Sequence, residues 1–274
     1  MRYLPDPEHV KRLNTSELRS NFLVQDLFTP GDISLRFVDL DRVVIGGIVP
    51  TEEALSLGAP PELDADFFAE RREVGLLNVG ESGQITVDGT THSMAPLDLV
   101  YVGLGSEEVT LESDDADDPA RYYLVSYPAH SAHPTKHVSR EEASAETIGS
   151  QEKASERILR KYIRPGAVES DQLVMGITEV QPGNVWNTMP AHTHVRRSEV
   201  YFYFDVNDED VVFHLMGEPQ ETRSLVVRDE EAVLSPNWSI HGGAGTDSYT
   251  FCWAMGGENQ DFDDMQGVEI ASMK

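Results

Sequence analysis

The sequence predicts an all-β protein made of two β-barrels in tandem, with a few short helices. Short alternating or β-branched runs recur along the chain between turn signals, and one pattern of strands occurs in both halves. Strands this short and frequent are typical of sandwiches and barrels. The length of 274 residues fits two copies of a small barrel better than one large sheet.

The strand signals are strongest in six runs, which we predict to be β: residues 43–45, 84–87, 99–102, 200–204, 211–213 and 225–227. A short helix is predicted from about Ser16 to Gln25, because Thr15 or Ser16 can cap it and Leu18 and Phe22 share an apolar face. Residues 140–162 are rich in Glu, Ala, Ser, Lys and Arg, which predicts a partly helical connector.

The internal repeat is centred on two arginine pairs, at 71–72 and 196–197. Each pair leads into a strand, a glycine-containing turn, another strand, and an acidic residue before an apolar strand. We therefore expect an N-terminal barrel domain with an N-terminal extension at 1–150, and a second barrel domain at 151–274.

The chain is strongly acidic, with 48 Asp and Glu against 21 Lys and Arg and a formal charge of −27. Such a surface repels nucleic acid and anionic lipid, so we expect neither as a partner. The acidic residues are spread between apolar strands, which indicates a folded protein adapted to high salt rather than a disordered one.

Apolar runs are all shorter than the roughly 18–20 residues that span a bilayer, and the N-terminus lacks the apolar core of a signal peptide. We therefore expect a cytoplasmic protein without membrane contact. Cys252, the single cysteine, cannot form an internal disulfide and lies in an apolar run, so we expect an inert core thiol.

Four residues form a metal-ligand pattern. His192 and His194 are two residues apart, and on a strand such side chains point to the same face. Glu199 follows after four residues at the start of a β run, and His241 comes after a second strand pair. Three imidazoles and one carboxylate suit Zn²⁺, Fe²⁺, Mn²⁺ or Ni²⁺. A catalytic role would require an expanded coordination shell or a displaceable ligand.

The first half of the repeat lacks these ligands. Phe67, Ala69 and Glu108 stand there at the positions of the three histidines, so one metal ion per chain is predicted.

We predict that the other histidines have roles other than binding this metal ion. His130, His133 and His137 lie in a proline-containing loop that we expect to hold no metal, with His130 a candidate for the rim of a site. His214 is predicted to be either a hydrogen-bonded strand residue or a group lining the barrel.

The pattern His-x-His-x4-Glu, followed by Pro-x4-His, resembles the metal motif of cupins, and two such modules make a bicupin. One departure is visible, because cupins usually carry Gly at the position of Trp238. The turn before His241 is therefore expected to differ.

The resemblance extends from about Ser20 to Asp264 and is to the 5-keto-4-deoxyuronate isomerase family, the 4-deoxy-L-threo-5-hexosulose-uronate ketol-isomerases. It implies a zinc-dependent bicupin, often a hexamer, in the breakdown of pectin-type uronates. The segments that carry it are 68–73, 128–130, 186–194, 199–204, 219–223, 238–241 and 257–260.

The activity implied by this family is an aldose–ketose isomerisation. A proton moves from C2 to C1 of 5-keto-4-deoxyuronate, giving 3-deoxy-D-glycero-2,5-hexodiulosonate. A metal held by three neutral imidazoles and one carboxylate keeps a net positive charge, so it can polarise the C1 carbonyl and stabilise an enediolate oxygen.

A base must take the C2 proton, and Glu221 is our first candidate and Glu258 the second. Arg223 is the first candidate for binding the C6 carboxylate, because a guanidinium can bind it bidentately.

Other residues compete for substrate contacts. Arg197 and Arg196 are alternatives to Arg223 for binding the C6 carboxylate. Tyr203 and Tyr201 share the parity of Glu199 on their strand, so they are expected either to bind substrate hydroxyls or to form core.

Three alternative functions stay open at this point. A 5-deoxyglucuronate isomerase of inositol breakdown would use the same ligands, and a metal-dependent cupin dioxygenase could also use three His and one Glu. A non-catalytic sugar-binding module of a regulator is the third, although no DNA-binding helix pair or basic patch is visible in the sequence.

Overall fold

The computed structural model describes residues 1–258, 260–261 and 263–274. The chain forms two compact units. The first comprises Met1–Arg2, Asp26–Ser144 and Tyr162–Met175, and the second comprises Tyr3–Gln25, Ala145–Lys161 and Gly176–Lys274.

Strands dominate the described residues, which confirms the all-β prediction. The α-helices there are α1 (Pro7–Val10) and α2 (Thr15–Phe22), and neither is long and apolar enough to cross a membrane. Single 3₁₀ turns lie at Pro61–Leu63, Gln151–Lys153 and Ile270–Ser272.

The strands are numbered in chain order. The first twelve are β1 (Leu23–Val24), β2 (Ile33–Phe37), β3 (Val44–Ile48), β4 (Leu55–Ser56), β5 (Arg72–Asn78), β6 (Gly83–Val87), β7 (Thr90–Met94), β8 (Leu99–Val102), β9 (Val109–Ser113), β10 (Tyr122–Pro128), β11 (Lys136–Val138) and β12 (Ser144–Ile148). The others are β13 (Arg157–Ile163), β14 (Val174–Val180), β15 (Trp186–Thr193), β16 (Arg197–Phe204), β17 (Val212–Met216), β18 (Arg223–Val227), β19 (Glu231–Ser235), β20 (His241–Gly245), β21 (Thr250–Gly257) and β22 (Gln266–Gly267).

The first unit has two antiparallel sheets, in the orders β11-β8-β5-β10-β3-β2 and β4-β9-β6-β7. Alternate side chains of both sheets point into one core. Leu76 and Leu124 come from the first sheet, Ile85 and Leu111 from the second, and all four are completely buried. The unit is therefore a two-sheet barrel whose interior is filled by side chains of both sheets.

The second unit repeats this topology, with sheets in the orders β1-β19-β16-β21-β14-β13-β12 and β18-β17-β20-β15-β22. Strand β16 lies between β19 and β21 as β5 lies between β8 and β10, and β17 lies between β18 and β20 as β6 lies between β7 and β9. The strand that begins at the second arginine of each pair is thus central in its sheet, so the two copies of the repeat occupy equivalent positions.

The compact units differ from the expected contiguous domains 1–150 and 151–274 in three segments, because residues 3–25 and 145–150 lie in the second unit and residues 162–175 in the first. The N-terminal extension belongs to the second unit, because β1 pairs with β19 of that unit. Residues 162–175 belong to the first unit, where the buried carboxylate of Glu73 accepts hydrogen bonds from the backbone N–H groups of Asp171 and Leu173.

The N-terminal helix is present but shorter than predicted, and it begins at the predicted caps rather than after them. Asn14 is its N-cap and forms a reciprocal capping box with Glu17. Leu18 and Phe22 are buried, as their spacing indicated.

The prediction of a helical connector at 140–162 was wrong. That segment contains β12, a 3₁₀ turn and the first six residues of β13. Its helix-favouring composition is a weak local preference, and β13 instead extends between β14 and β12, where the sheet satisfies its backbone hydrogen bonds.

Gly176 on β14 is a packing constraint in the second unit. A Cβ added there would lie 2.3 Å from both the carbonyl oxygen of Arg160 and Cζ2 of Trp253. We expect Gly176→Ala to lower the free energy of unfolding by roughly 1–3 kcal/mol through overpacking. Urea unfolding followed by fluorescence measures it, with Gly267→Ala as control because its added Cβ meets nothing within 4 Å. Equal midpoints for the two variants would contradict this packing.

Candidate metal centre

The four predicted ligands are positioned by neighbouring strands. His192 lies on β15 directly opposite His241, the first residue of β20, in the same sheet. His194 follows one residue after β15, and Glu199 lies on β16 in the other sheet of the unit. The two-residue spacing of the first pair places both imidazoles on one face, as predicted.

The structure brings these four side chains to one point, with a ligand atom of each within 4.8 Å of the others. The Nε2 atom of His192 is 3.2 Å from that of His194 and 2.9 Å from that of His241. Oε2 of Glu199 is 3.2 Å from Nε2 of His194 and 3.0 Å from Nε2 of His241. Within the described residues, no other cluster of three or more His, Cys, Asp or Glu side chains meets this geometry.

The outer nitrogens of two imidazoles have their own partners. Nδ1 of His194 is 2.8 Å from the carbonyl oxygen of Asp264, which can only accept, so that nitrogen carries the hydrogen. Nδ1 of His241 is 3.0 Å from Oγ of Ser235. The first contact turns the Nε2 lone pair of His194 inward, and the second holds the ring of His241 with Nε2 toward the cluster, as metal-binding histidines require.

Burial keeps the imidazoles of His192 and His241 neutral. Desolvation first, and the neighbouring His194 second, lowers the pKa of His192 to about 3. Desolvation first, and then the neighbouring His192 and His194, hold the pKa of His241 well below its ordinary value. Inward lone pairs and a buried carboxylate repel each other unless a cation lies between them, so the donor set fits a divalent metal ion.

A cavity of about 300 Å³ opens beside the cluster. Three of the ligands line it, and most of the remaining wall is apolar. Its lining residues are Ile148, Arg157, Leu159, Thr178, Thr188, Met189, Pro190, His192, His194, Glu199, Tyr201, Phe251, Trp253, Met255 and Met265. Such a wall with few polar groups is typical of a small-molecule site.

Neither predicted base lies in the cavity wall. Glu221 is exposed in the turn between β17 and β18, where its N–H donates to the carbonyl of Glu218. Glu258 is exposed and lies 3.9 Å from the guanidinium of Arg196, which is itself at the surface.

The two other arginine candidates, Arg223 and Arg197, contact groups of the protein itself. Arg223 donates to the carbonyl oxygens of Val10 and Leu13, at 2.8 and 2.7 Å, and so fastens the N-terminal segment to β18. Arg197 is buried behind a ligand, with Nη2 3.4 Å from Nδ1 of His194. Neither arginine lines the cavity.

The two tyrosines of β16 have different positions. Tyr203 is completely buried and its hydroxyl lies 2.7 Å from Nδ1 of His214, so this histidine is a hydrogen-bonded strand residue. Tyr201 lines the cavity, with its hydroxyl 3.2 Å from Oγ1 of Thr188 and its ring 5.2 Å from that of His241. Burial raises the pKa of Tyr201 well above 10, so its phenol stays protonated.

Sequence reasoning missed Arg157 and the apolar wall formed by Trp253 and Phe251. Arg157 and Leu159 reach the cavity from β13 with a spacing of two residues, which is the signal of one face of a strand. That signal is visible only when residues 140–162 are interpreted as β.

The turn before His241 forms without the usual glycine. The N–H of Ser239 donates to the carbonyl of Pro236, and the ring of Trp238 packs edge-on against Phe22 of α2 at 6.3 Å. Asn259, part of one segment of the resemblance, lies outside the described residues.

The remaining predictions concern two histidines and the cysteine. Nε2 of His137 lies 3.0 Å from Oδ2 of Asp98, and His130 is exposed with its N–H bonded to Asp171. Cys252 is completely buried on β21, and burial raises the pKa of its thiol, as expected of a core residue.

Comparison with known proteins identifies close relatives. The 4-deoxy-L-threo-5-hexosulose-uronate ketol-isomerase of Halalkalibacterium halodurans is 49% identical over 273 residues, covering 100% of this chain and 99% of that protein. The proteins of the same name from Opitutus terrae and Escherichia coli are 48% identical over 275 residues and 46% identical over 268 residues. These alignments cover 100% and 97% of this chain, and 99% and 96% of the two relatives.

Solved structures support the fold alone. An IolB-like protein from Salmonella typhimurium superposes with a TM-score of 0.73 at 14% identity, over 90% of this chain and 97% of that one. The protein Ylba from E. coli superposes with a TM-score of 0.62 at 13% identity, over 97% and 100% of the two chains. The model of the KduI/IolB family matches residues 44–270. With this match over most of its length, the chain belongs to the KduI/IolB family.

Proposed function

We propose that this protein is a ketol-isomerase that converts 5-keto-4-deoxyuronate into 3-deoxy-D-glycero-2,5-hexodiulosonate in uronate catabolism. Curated relatives that share almost half of its residues over nearly the full length carry the corresponding name. The observation that carries the chemistry is the buried cluster of three imidazoles and one carboxylate at the wall of a cavity.

We further propose that His192, His194, Glu199 and His241 hold one Zn²⁺. When bound, the cation would supply Lewis-acid polarisation of the substrate carbonyl and stabilise negative charge on oxygen.

The surrounding residues prepare the ligands for this role. The carbonyl of Asp264 and the hydroxyl of Ser235 orient the imidazoles of His194 and His241, so little reorganisation is needed on binding. Nη2 of Arg197 donates to the same Asp264 carbonyl at 3.4 Å, which helps to hold that acceptor in place.

The cavity wall acts on the substrate itself. The protonated phenol of Tyr201 can donate a hydrogen bond to a substrate oxygen beside the ligands. Phe251 and Trp253 exclude water, which strengthens electrostatic interactions at the reacting carbons and protects the enediolate from side reactions.

The test is an incubation of the purified protein with 5-keto-4-deoxyuronate, with product identified by NMR. We expect conversion to the 2-keto product, loss of activity after treatment with a chelator, and recovery on adding Zn²⁺. Parallel incubations contain 5-deoxyglucuronate, or bound Fe²⁺ with an oxygen electrode. Turnover of 5-deoxyglucuronate alone, or oxygen consumption without isomerisation, would overturn the proposal.

A further inference from the structure

Arg157 is a basic side chain in the wall of the cavity, and the lining contains neither another arginine nor a lysine within the described part of the chain. We propose that Arg157 binds the carboxylate of the substrate and thereby selects uronates over neutral sugars. This inference rests on the proposed function for its substrate, but it concerns recognition rather than chemistry.

The hydrogen bonding of Arg157 leaves room for a ligand. Nη1 donates to the carbonyl oxygen of Ser155 at 2.7 Å, which fixes one arm of the guanidinium. Among the residues that the structure describes, no carboxylate lies within ion-pair distance of it. Its remaining N–H groups can therefore bind a carboxylate entering the cavity, in the bidentate geometry that guanidinium groups favour.

The acidic composition makes this arrangement informative. Acidic residues outnumber basic ones by 48 to 21, so a basic side chain in this protein has many possible partners. Arg160, three residues further along the same strand, pairs with Glu179 at 2.6 Å. Among the residues described by the structure, Arg157 has no such pair, and it lines the cavity.

The electrostatic surroundings of Arg157 support the same role. Desolvation by burial is the main cause that lowers its pKa. A guanidinium stays charged at neutral pH even so, and a partly buried charge without a counter-ion is costly. A substrate carboxylate would supply that counter-ion. The ring of Tyr201, which also lines the cavity, lies 5.2 Å from the ring of His241.

The substrate class follows from this geometry. A sugar acid has an anionic group at one end and a carbonyl group at the other. These two groups match the guanidinium of Arg157 and the metal-ligand cluster in the cavity wall. A neutral sugar with CH₂OH in place of the carboxylate offers no charge to Arg157 and leaves it unpaired.

The experiment compares wild type with Arg157→Gln, Arg157→Lys and the control Arg160→Gln, which removes a charge from the same strand outside the cavity. We expect Arg157→Gln to raise KM for 5-keto-4-deoxyuronate about 10–100-fold, with a smaller change in kcat. Arg157→Lys should recover part of the affinity, because it keeps a point charge. Circular dichroism and metal content check that each variant is folded and loaded.

A second readout does not depend on turnover. Calorimetric titration uses D-galacturonate and neutral D-galactose, and we expect wild type and Arg160→Gln to bind only the acid, while Arg157→Gln binds neither. If this discrimination holds but 5-keto-4-deoxyuronate is not converted, the recognition stands and the proposed function fails. Galacturonate that binds Arg157→Gln as tightly as wild type, or binds neither protein, would overturn the inference, as would an unchanged KM.

Discussion

Replacing His241 with alanine should reduce isomerase activity by about a thousandfold or more, while the protein stays folded. His241 is 1% exposed, and its Nε2 lies 2.9 Å from His192 and 3.0 Å from Glu199. Without it the remaining donors no longer enclose a cation. A loss of roughly 4 kcal/mol of transition-state stabilisation corresponds to a thousandfold slower turnover.

Three measurements test this expectation. Product NMR gives turnover, elemental analysis gives zinc per chain, and circular dichroism reports the fold. His9→Ala is the matched control, because it removes an exposed histidine from the same compact unit. Full turnover with undiminished zinc in His241→Ala would show that the four side chains are not the ligand set.

The ligand cluster could be predicted from the sequence because its signals depend on regular strand geometry. The spacing of His192 and His194 fixes a common face on any strand, and the repeat indicated that the second half alone carries the ligands. The strand order of the two units follows the same repeat, so much of the topology was also accessible.

Other side-chain positions could not be predicted, because they depend on contacts between residues far apart in the sequence. Arg223 was a candidate for substrate binding, but its guanidinium donates to the carbonyls of Val10 and Leu13. These two residues precede it in the chain by 213 and 210 positions. Arg157 was hidden in a segment of helix-favouring composition, and only its place between two other strands turns it toward the cavity. Glu221, the first candidate for the base, lies in an exposed turn and not in the cavity wall.

Glu73 is the most consequential residue that sequence reasoning left unassigned. Its side chain is completely buried within the first unit. One carboxylate oxygen accepts from the N–H of Asp171 and the hydroxyl of Tyr101, each at 2.7 Å. The other accepts from the N–H groups of Gln172 and Leu173, at 2.8 and 2.7 Å. One side chain thus satisfies three backbone donors of the segment 162–175.

Glu73→Ala should lower the free energy of unfolding by roughly 3–5 kcal/mol, because four donors lose their acceptor in a buried position. That is a large fraction of the total stability of a typical domain, which is about 5–15 kcal/mol. Urea unfolding measures the loss, and hydrogen exchange should show reduced protection at residues 171–173. Glu62→Ala removes an exposed carboxylate from the same unit and should change stability by less than about 0.5 kcal/mol.

Glu73→Gln separates hydrogen bonding from packing, because the amide has almost the same size as the carboxyl group. Its NH₂ group would replace one oxygen and face either the N–H of Asp171 or the N–H groups of Gln172 and Leu173, so at least one buried backbone donor loses its acceptor and meets a donor. We therefore expect Glu73→Gln to be destabilised by most of the alanine effect. A glutamine variant as stable as wild type would mean that volume, and not the accepted hydrogen bonds, holds residues 162–175 in the first unit.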